Sequence, residues 1–290
     1  MTGNIKTNTN ATLPGATTVH EVGKVYAQGG KPEVILRDCS FTIEPGKFTV
    51  LLGPSGCGKT TLVKLIAGYE SPSVGSISID GKLVGGPAAD RLVVFQETAL
   101  FPWMSLENNV AFGPIQSGTS ARDALLLARD LLAKVGLNGF ETRYPDQISG
   151  GMQRRAEVAR GIINQPKLLL LDEPFRGLDH MTRGLMQEYL LALFETHRTT
   201  TLFVTSEVDE AIFLADQLVL LSYKPTCVKA IIDVDLPRPR KFKMQTSALF
   251  ADLKSQALDL LYEEALKGFV KGSAAGKDME RIVVQARAGG

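Results

Sequence analysis

The residues best equipped for chemistry are a lysine and a threonine at the end of a glycine-rich run. Gly53-Pro54-Ser55-Gly56-Cys57-Gly58-Lys59-Thr60-Thr61 fits G-x-x-x-x-G-K-[ST] at every fixed position. Glycines let the backbone approach a ligand and turn its N–H groups inward, forming a nest for an anion. Lys59 supplies a point charge for the β- and γ-phosphates of a nucleotide, and the Thr60 hydroxyl can ligate Mg²⁺. A second candidate is Asp172-Glu173, two carboxylates that close the run Lys167-Leu-Leu-Leu-Leu171. Acids at the C-terminal end of a buried strand lie where ligands bind in open α/β sheets.

These residues need elements to hold them. Residues 47–52 read as a strand entering the glycine run, and residues 60–67 as a helix leaving it, closed by Gly68. Strand, loop and helix in that order raise the motif above chance, and the helix N-terminus adds its dipole beneath the phosphates. Upstream, residues 19–26 and 34–43 alternate as strands joined by Gly29-Gly30, and residues 75–80 alternate before the hairpin signal Asp80-Gly81. A small antiparallel sheet should therefore flank the loop. Tyr26 ends the first of these strands, either stacking on a base or standing as a half-exposed sheet tyrosine.

Downstream, residues 91–95 form a strand ending at Gln96, and the chain turns helical from 105 to 164, with one clear amphipathic stretch at 121–135. Strands at 167–171, 200–205, 217–221 and 228–235 alternate with helices at 181–196 and 207–215, the pattern of a doubly wound α/β core. Residues 237–243 are basic and proline-bearing and read as a solvated linker, 248–269 as a helical appendage, and 272–290 as loose.

Composition narrows the classes. The 290 residues are 44% apolar and 22% charged with a net charge of +1, which offers no argument for nucleic-acid binding. Cys39, Cys57 and Cys227 show neither metal spacing nor a disulfide framework, which suits a reducing cytoplasm. Residues 1–16 read as a disordered polar leader without a signal-peptide core. No stretch approaches the roughly 18 apolar residues of a membrane span, so any membrane part must come from another chain.

Further stretches carry a resemblance. Gln96 follows a strand, Ile148-Ser149-Gly150-Gly151-Met152-Gln153 opens a helix, Gly177-Leu178-Asp179 follows Asp172-Glu173, and Val204-Thr205-Ser206 closes the next strand. In this order they resemble the nucleotide-binding subunit of ATP-binding-cassette (ABC) transporters over roughly residues 19–235. The resemblance implies a P-loop (RecA-like) α/β core with an antiparallel β subdomain, an α-helical subdomain inserted at about 98–165, and a C-terminal linker and tail over 236–290. It implies ATP and Mg²⁺ as ligands, with the loop from Gly53 to Thr61 around the triphosphate and Tyr26 on the adenine. Thr60, Gln96 and Asp172 would serve the metal. Glu173 would be the general base, with Gln96 also sensing the permease.

Ser149, Gly150 and Gly151 would cap the γ-phosphate of ATP bound to an opposite subunit, and Asp179 would lie at that seam. Ser206 stands where the family has its switch histidine, a hydroxyl without positive charge. That departure implies slow hydrolysis or dependence on Glu173 and Gln96 alone, and a heterodimer with a His-bearing paralogue would explain it most easily. Met152, where the family usually has glutamine, is a familiar variant. Cys57 lies inside the loop, so a bulky thiol reagent is expected to block nucleotide binding.

Ninety residues separate Lys59 from Ser149, too few for the coiled coils of chromosome-maintenance ATPases. Residues 101–110 and 208–216 look like the nitrate/sulfonate/taurine importer subfamily. That implies an ATPase on the cytoplasmic face of the inner (plasma) membrane. It would pair with a second ABC ATPase subunit and permease subunits, and act indirectly with an extracytoplasmic solute-binding protein. Phe101, Pro102, Trp103 and Met104 either form core of the helical insertion or, as the resemblance implies, the edge that receives the permease. The competing class is an ATP-gated dimerising regulatory or scaffold module with little turnover, which Ser206 favours and Glu173 opposes.

Overall fold

The computed structural model describes residues 13–28 and 31–272. The chain opens with a long antiparallel pair, β1 (Thr17–Gln28) and β2 (Lys31–Ile43), followed by β3 (Phe48–Leu52) and α1 (Lys59–Ala67). Next come β4 (Val74–Ile79), β5 (Lys82–Leu83), β6 (Arg91–Val94), and three helices, α2 (Leu106–Gln116), α3 (Ala121–Lys134) and α4 (Gly150–Ile162). The remainder alternates β7 (Leu168–Asp172), α5 (His180–His197), β8 (Thr200–Thr205), α6 (Val208–Leu214) and β9 (Gln217–Leu221), then β10 (Val228–Asp233) and α7 (Ala248–Gly272).

Two sheets result. The order β10-β9-β3-β8-β7-β6 is parallel from β9 to β6, with β10 antiparallel at its edge. The strands β3, β7, β8 and β9 are buried at every residue, as expected of parallel strands covered on both faces. Successive β3 residues feed opposite cores: Phe48, Val50 and Leu52 join the helical side, whereas Leu51 joins the side of α1 and the second sheet. That second sheet, β2-β1-β4-β5, is antiparallel and carries Tyr26. The helices α2, α3 and α4 pack on one another between β6 and β7. The ABC-type α/β fold anticipated from the motifs is thus the fold observed.

Element ends differ from the sequence reading by one to three residues. The Gly29-Gly30 turn, the loose 273–290 segment and most of the leader lie outside the described residues. At the leader's end the chain is tied to the body. Thr200 Oγ1 donates to the Pro14 carbonyl at 2.6 Å, and the Gly15 and Ala16 N–H groups donate to Asp80 Oδ1 at 2.8 and 3.1 Å.

The basic segment after β10 is not a solvated linker. Arg238 pairs with Asp216 and Glu195 and lies 4.9 Å over the Phe194 ring. Arg240 is 4% exposed and donates to the carbonyls of Ile212, Phe213, Val234 and Leu236. Two of those carbonyls end α6, where a guanidinium satisfies groups the helix leaves open. The short run of charge looked solvated because sequence does not reveal that its stems cover apolar surface.

Candidate nucleotide site

The glycine run turns sharply between β3 and α1. Gly58 has φ of +110°, and a Cβ there would lie 2.9 Å from Ile35 Cγ2, so a side chain is refused on both counts. From behind, the Thr226 hydroxyl donates to the Cys57 carbonyl. Lys59, the first residue of α1, curls back over the loop. Its ammonium donates to the Gly53 and Pro54 carbonyls at 2.9 and 3.1 Å and lies 3.4 Å from Glu173 Oε1. The charge is therefore pre-positioned by the loop it serves.

Over the loop opens a cleft of about 330 Å³, within the size range of small-molecule sites. Tyr26, Ser55, Gly56, Gly58, Lys59, Thr60, Thr61, Gln96 and Glu173 all line it, together with Ile35, Arg176 and Lys224. Residues from the antiparallel sheet, the loop, the end of β6 and the end of β7 thus meet in one place. The Tyr26 hydroxyl donates to Glu70 Oε2 at 2.5 Å, and the Lys24 ammonium sits 5.0 Å from its ring centroid. Burial and that bond to Glu70 push the Tyr26 hydroxyl up to about 12, so it stays protonated and held.

Asp172 and Glu173 divide their surroundings. Asp172 ends β7 and is 3% exposed, and its Oδ1 has no hydrogen-bond partner among the described residues. Burial pushes its carboxyl up, opposed by a bond from Thr60. An orphaned buried carboxylate oxygen costs free energy unless something binds it. The Asp172 and Thr60 oxygens, which meet, and the Gln96 side chain in the cleft could serve a hard divalent cation. Among the described residues no group of three or more His, Cys, Asp or Glu could hold a metal.

Glu173 has φ of +45°, a left-handed conformation costing a glutamate on the order of 1 kcal/mol. Its N–H donates to the Val204 carbonyl at 3.0 Å, which locks the turn, and its carboxylate also meets Arg176 Nη1 at 3.0 Å.

A smaller cleft of about 190 Å³ lies beyond Glu173, lined by Ser55, Arg176, Thr205, Ser206 and Glu207 among others. Its floor is the Thr205 hydroxyl donating to Glu210 Oε2 at 2.6 Å, with Gln187 donating to the other oxygen at 3.0 Å. Burial pushes the Glu210 carboxyl up.

Ser149, Gly150, Gly151 and Asp179 line neither cleft. Ser149 Oγ caps α4 by accepting from the Met152 N–H at 3.4 Å. Asp179 caps α5, accepting from the Met181 and Thr182 N–H groups at 3.1 and 3.0 Å. Bonds from Thr182 hold the Asp179 carboxyl below its usual range. A Cβ on Gly150 would meet nothing within 4 Å, so nothing among the described residues requires glycine there.

Burial of its thiol speaks against the expectation for Cys57. Its side chain is fully buried in the apolar cluster behind the loop, its Sγ 3.0 Å from where a Cβ on Gly53 would lie. Only its backbone belongs to the loop, and burial pushes the thiol up, away from the reactive thiolate. Sequence reasoning also missed Arg154 and Glu157. Arg154 donates to the Phe95 and Gln96 carbonyls and pairs with Glu157, which accepts from the Ala99 N–H. The helix that begins at Ser149 therefore grips the backbone around Gln96. Arg and Glu three apart on a helix face otherwise made of small and apolar residues were the available signal.

Comparisons with known proteins place this geometry. The ABC transporter family matches residues 36–176. A bicarbonate transport ATP-binding protein of Synechocystis is 39% identical over 249 residues, covering 84% of this chain and 88% of its own. A taurine import ATP-binding protein of Escherichia coli O157:H7 is 47% identical over 206 residues, covering 71% and 80%. Relatives at 39% and 38% identity are named for nitrate and aliphatic sulfonate import. Among solved structures, a dimeric bacterial ABC transporter cassette superposes with a TM-score of 0.68 at 26% identity, covering 76% of this chain and 100% of that one.

Proposed function

The chain belongs to the ABC transporter family as an ATP-binding subunit, and from that premise we propose that it energises import of a small anion through a separate permease. Nitrate, bicarbonate, a sulfonate or taurine are the solutes named for its relatives. The observation that carries the reading is the convergence of Lys59, Thr60, Gln96 and Glu173 on one cleft. In it the loop amides and Lys59 hold the triphosphate, and Tyr26 stacks on the adenine. Mg²⁺ held by Thr60, Gln96 and, through water, Asp172 would neutralise phosphate charge. Glu173, fixed by its locked turn, takes the proton from the attacking water.

Two subunits close head to tail, so that the partner subunit's Ser149, Gly150 and Gly151 reach the γ-phosphate and Asp179 meets the seam. Glycines at an exposed helix start with no demand from their own chain support that reading. Among the described residues no helix is long and apolar enough to cross a membrane. The chain would sit peripherally on the inner face of the plasma membrane, below a permease supplied by other chains and served by an extracytoplasmic solute-binding protein. Trp103, 69% exposed and stacked on Phe101 at 5.4 Å, offers that permease an aromatic anchor.

Ser206 leaves the γ-phosphate without a histidine, so turnover is reduced relative to a His-bearing site, and Ser206→His raises it several-fold. The same residue favours a second reading, an ATP-gated dimerising module with little turnover. Purification of the tagged chain from membranes in mild detergent, with partners identified by mass spectrometry and phosphate release measured, separates the two. A stoichiometric multi-span partner with ATP turnover supports the importer, and a second cassette protein beside it would be the His-bearing paralogue. A chain that binds ATP and dimerises, yet brings down no membrane protein, leaves the module.

A further inference from the structure

The phosphate-loop cleft and the Ser206 cleft share three lining residues, Ser55, Glu173 and Arg176. Of these only Arg176 carries positive charge. We propose that Arg176 is the cation that meets the γ-phosphate from the Ser206 side, supplying in part the charge that Ser206 does not. The inference rests on the nucleotide-site reading above and adds a residue to it.

The geometry argues for a guanidinium with two partners. The Arg176 N–H donates to the Glu173 carbonyl at 3.2 Å, closing the turn that carries both side chains. Its Nη1 then meets Glu173 Oε2 at 3.0 Å, while Lys59 stands 3.4 Å from the other oxygen. One carboxylate is thus bracketed by two cations, with the Asp172 carboxyl beside them. Lys59 is sealed against the loop, whereas the Arg176 side chain is 56% exposed, and an exposed ion pair of this kind typically contributes little. A γ-phosphate arriving between them brings more negative charge than one carboxylate and offers two oxygens to the planar, bidentate guanidinium.

As Arg176 turns to the phosphate, Glu173 Oε2 loses its ion partner and is released to act as base. In the step that follows, a water O–H bond breaks and its proton passes to Glu173. The water oxygen bonds to the γ-phosphorus, and the bond to the bridging oxygen breaks with its electron pair, leaving ADP. Arg176 would therefore hold the base idle until the phosphate is in place.

The test uses the full chain with Arg176→Gln, Arg176→Lys, Ser206→His and the double variant. The readouts are affinity for ADP, affinity for a non-hydrolysable ATP analogue, and phosphate release. Arg176→Gln is expected to weaken the analogue by about 10-fold and ADP by less than about twofold, since only the analogue carries the γ-phosphate. Turnover should fall by about 10²-fold, the usual loss on removing one charge-stabilising donor, with partial recovery in Arg176→Lys. Ser206→His should gain more in the Arg176→Gln background than in the parent. Equal weakening of ADP and analogue would make Arg176 a structural residue and overturn the proposal, as would unchanged turnover or an equal Ser206→His gain in both backgrounds. If the parent chain bound neither nucleotide, the site reading itself would fall, and this inference with it.

Discussion

The glycine-loop cleft and the face that carries Ser149, Gly150, Gly151 and Asp179 are built to different standards of completeness. In the cleft nearly every group is answered from within the chain: Lys59 by two carbonyls and a carboxylate, the Cys57 carbonyl by Thr226, the Glu173 N–H by Val204. The notable exception is Asp172 Oδ1, buried beside Glu173 with no hydrogen-bond partner among the described residues. On the other face the polar groups are spent on capping their own helices, and Gly150 leaves space that nothing among the described residues fills. One region answers its own polar groups, and on the proposed reading the other is a surface that awaits a ligand. The difference teaches that burial and hydrogen bonding mark what a chain completes alone, and unexplained glycines mark what it offers outward.

The largest effects should come from the finished region. Glu173→Gln keeps the shape of the turn but removes the base, so phosphate release should fall by about 10³-fold while ATP still binds. Light scattering should then show an ATP-dependent dimer accumulating, and loss of ATP binding instead would make Glu173 part of the binding cradle. Gly150→Asp sharpens the contrast from the other side. It puts a negative charge on the outward face, so turnover should fall by about 10²-fold with the affinity of the isolated chain for ATP unchanged. Weakened binding in the monomer would show that Gly150 belongs to its own chain's cleft and erase the distinction.

The two regions were also unequally legible from sequence. The glycine run could be read because backbone geometry and phosphate chemistry together dictate its spacing, and β7 because a run of leucines can be buried on both faces only inside a parallel sheet. The place of Gln96 in the cleft was read from resemblance, and what steadies it, Arg154 and Glu157, lies nearly 60 residues away on α4. Long-range pairing of that kind leaves no local pattern. Arg176 went unnoticed for the same reason: one arginine in a turn is ordinary until two clefts are seen to share it. The Arg238 and Arg240 strap was misread because charge density says nothing about where a side chain's stem packs.

A smaller effect tests how far the finished region extends behind the cleft. Glu264 of α7 accepts from Lys229 and Lys267 at 2.9 and 2.7 Å and from the Tyr223 N–H at 2.9 Å, one residue before the cleft-lining Lys224. Burial alone would raise its carboxyl, but these bonds bring it down to about 2. A carboxyl lowered on folding adds stability that is complete above its ordinary value of 4.5 and is lost as pH falls toward about 2. Glu264→Gln should therefore cost on the order of 1 kcal/mol near neutrality and flatten the stability profile between those limits in denaturant melts. An identical acid profile in the variant would show that α7 is not clamped through this carboxylate.

The smallest expected effect is none at all, and it bears most directly on whether the cleft is preformed. Cys57 sits in the loop, but its thiol faces the apolar cluster and its ionisation is disfavoured by burial. A bulky maleimide should leave it unlabelled with or without ATP, while half-buried Cys227 reacts first among the three cysteines. Peptide mass spectrometry over a labelling time course reads both sites in one experiment. Rapid labelling of Cys57 without nucleotide, suppressed by ATP, would mean that the loop opens far enough to expose its underside. The cleft would then be assembled by its ligand, and the contrast between a finished region and a waiting one would become a contrast between two surfaces that both wait.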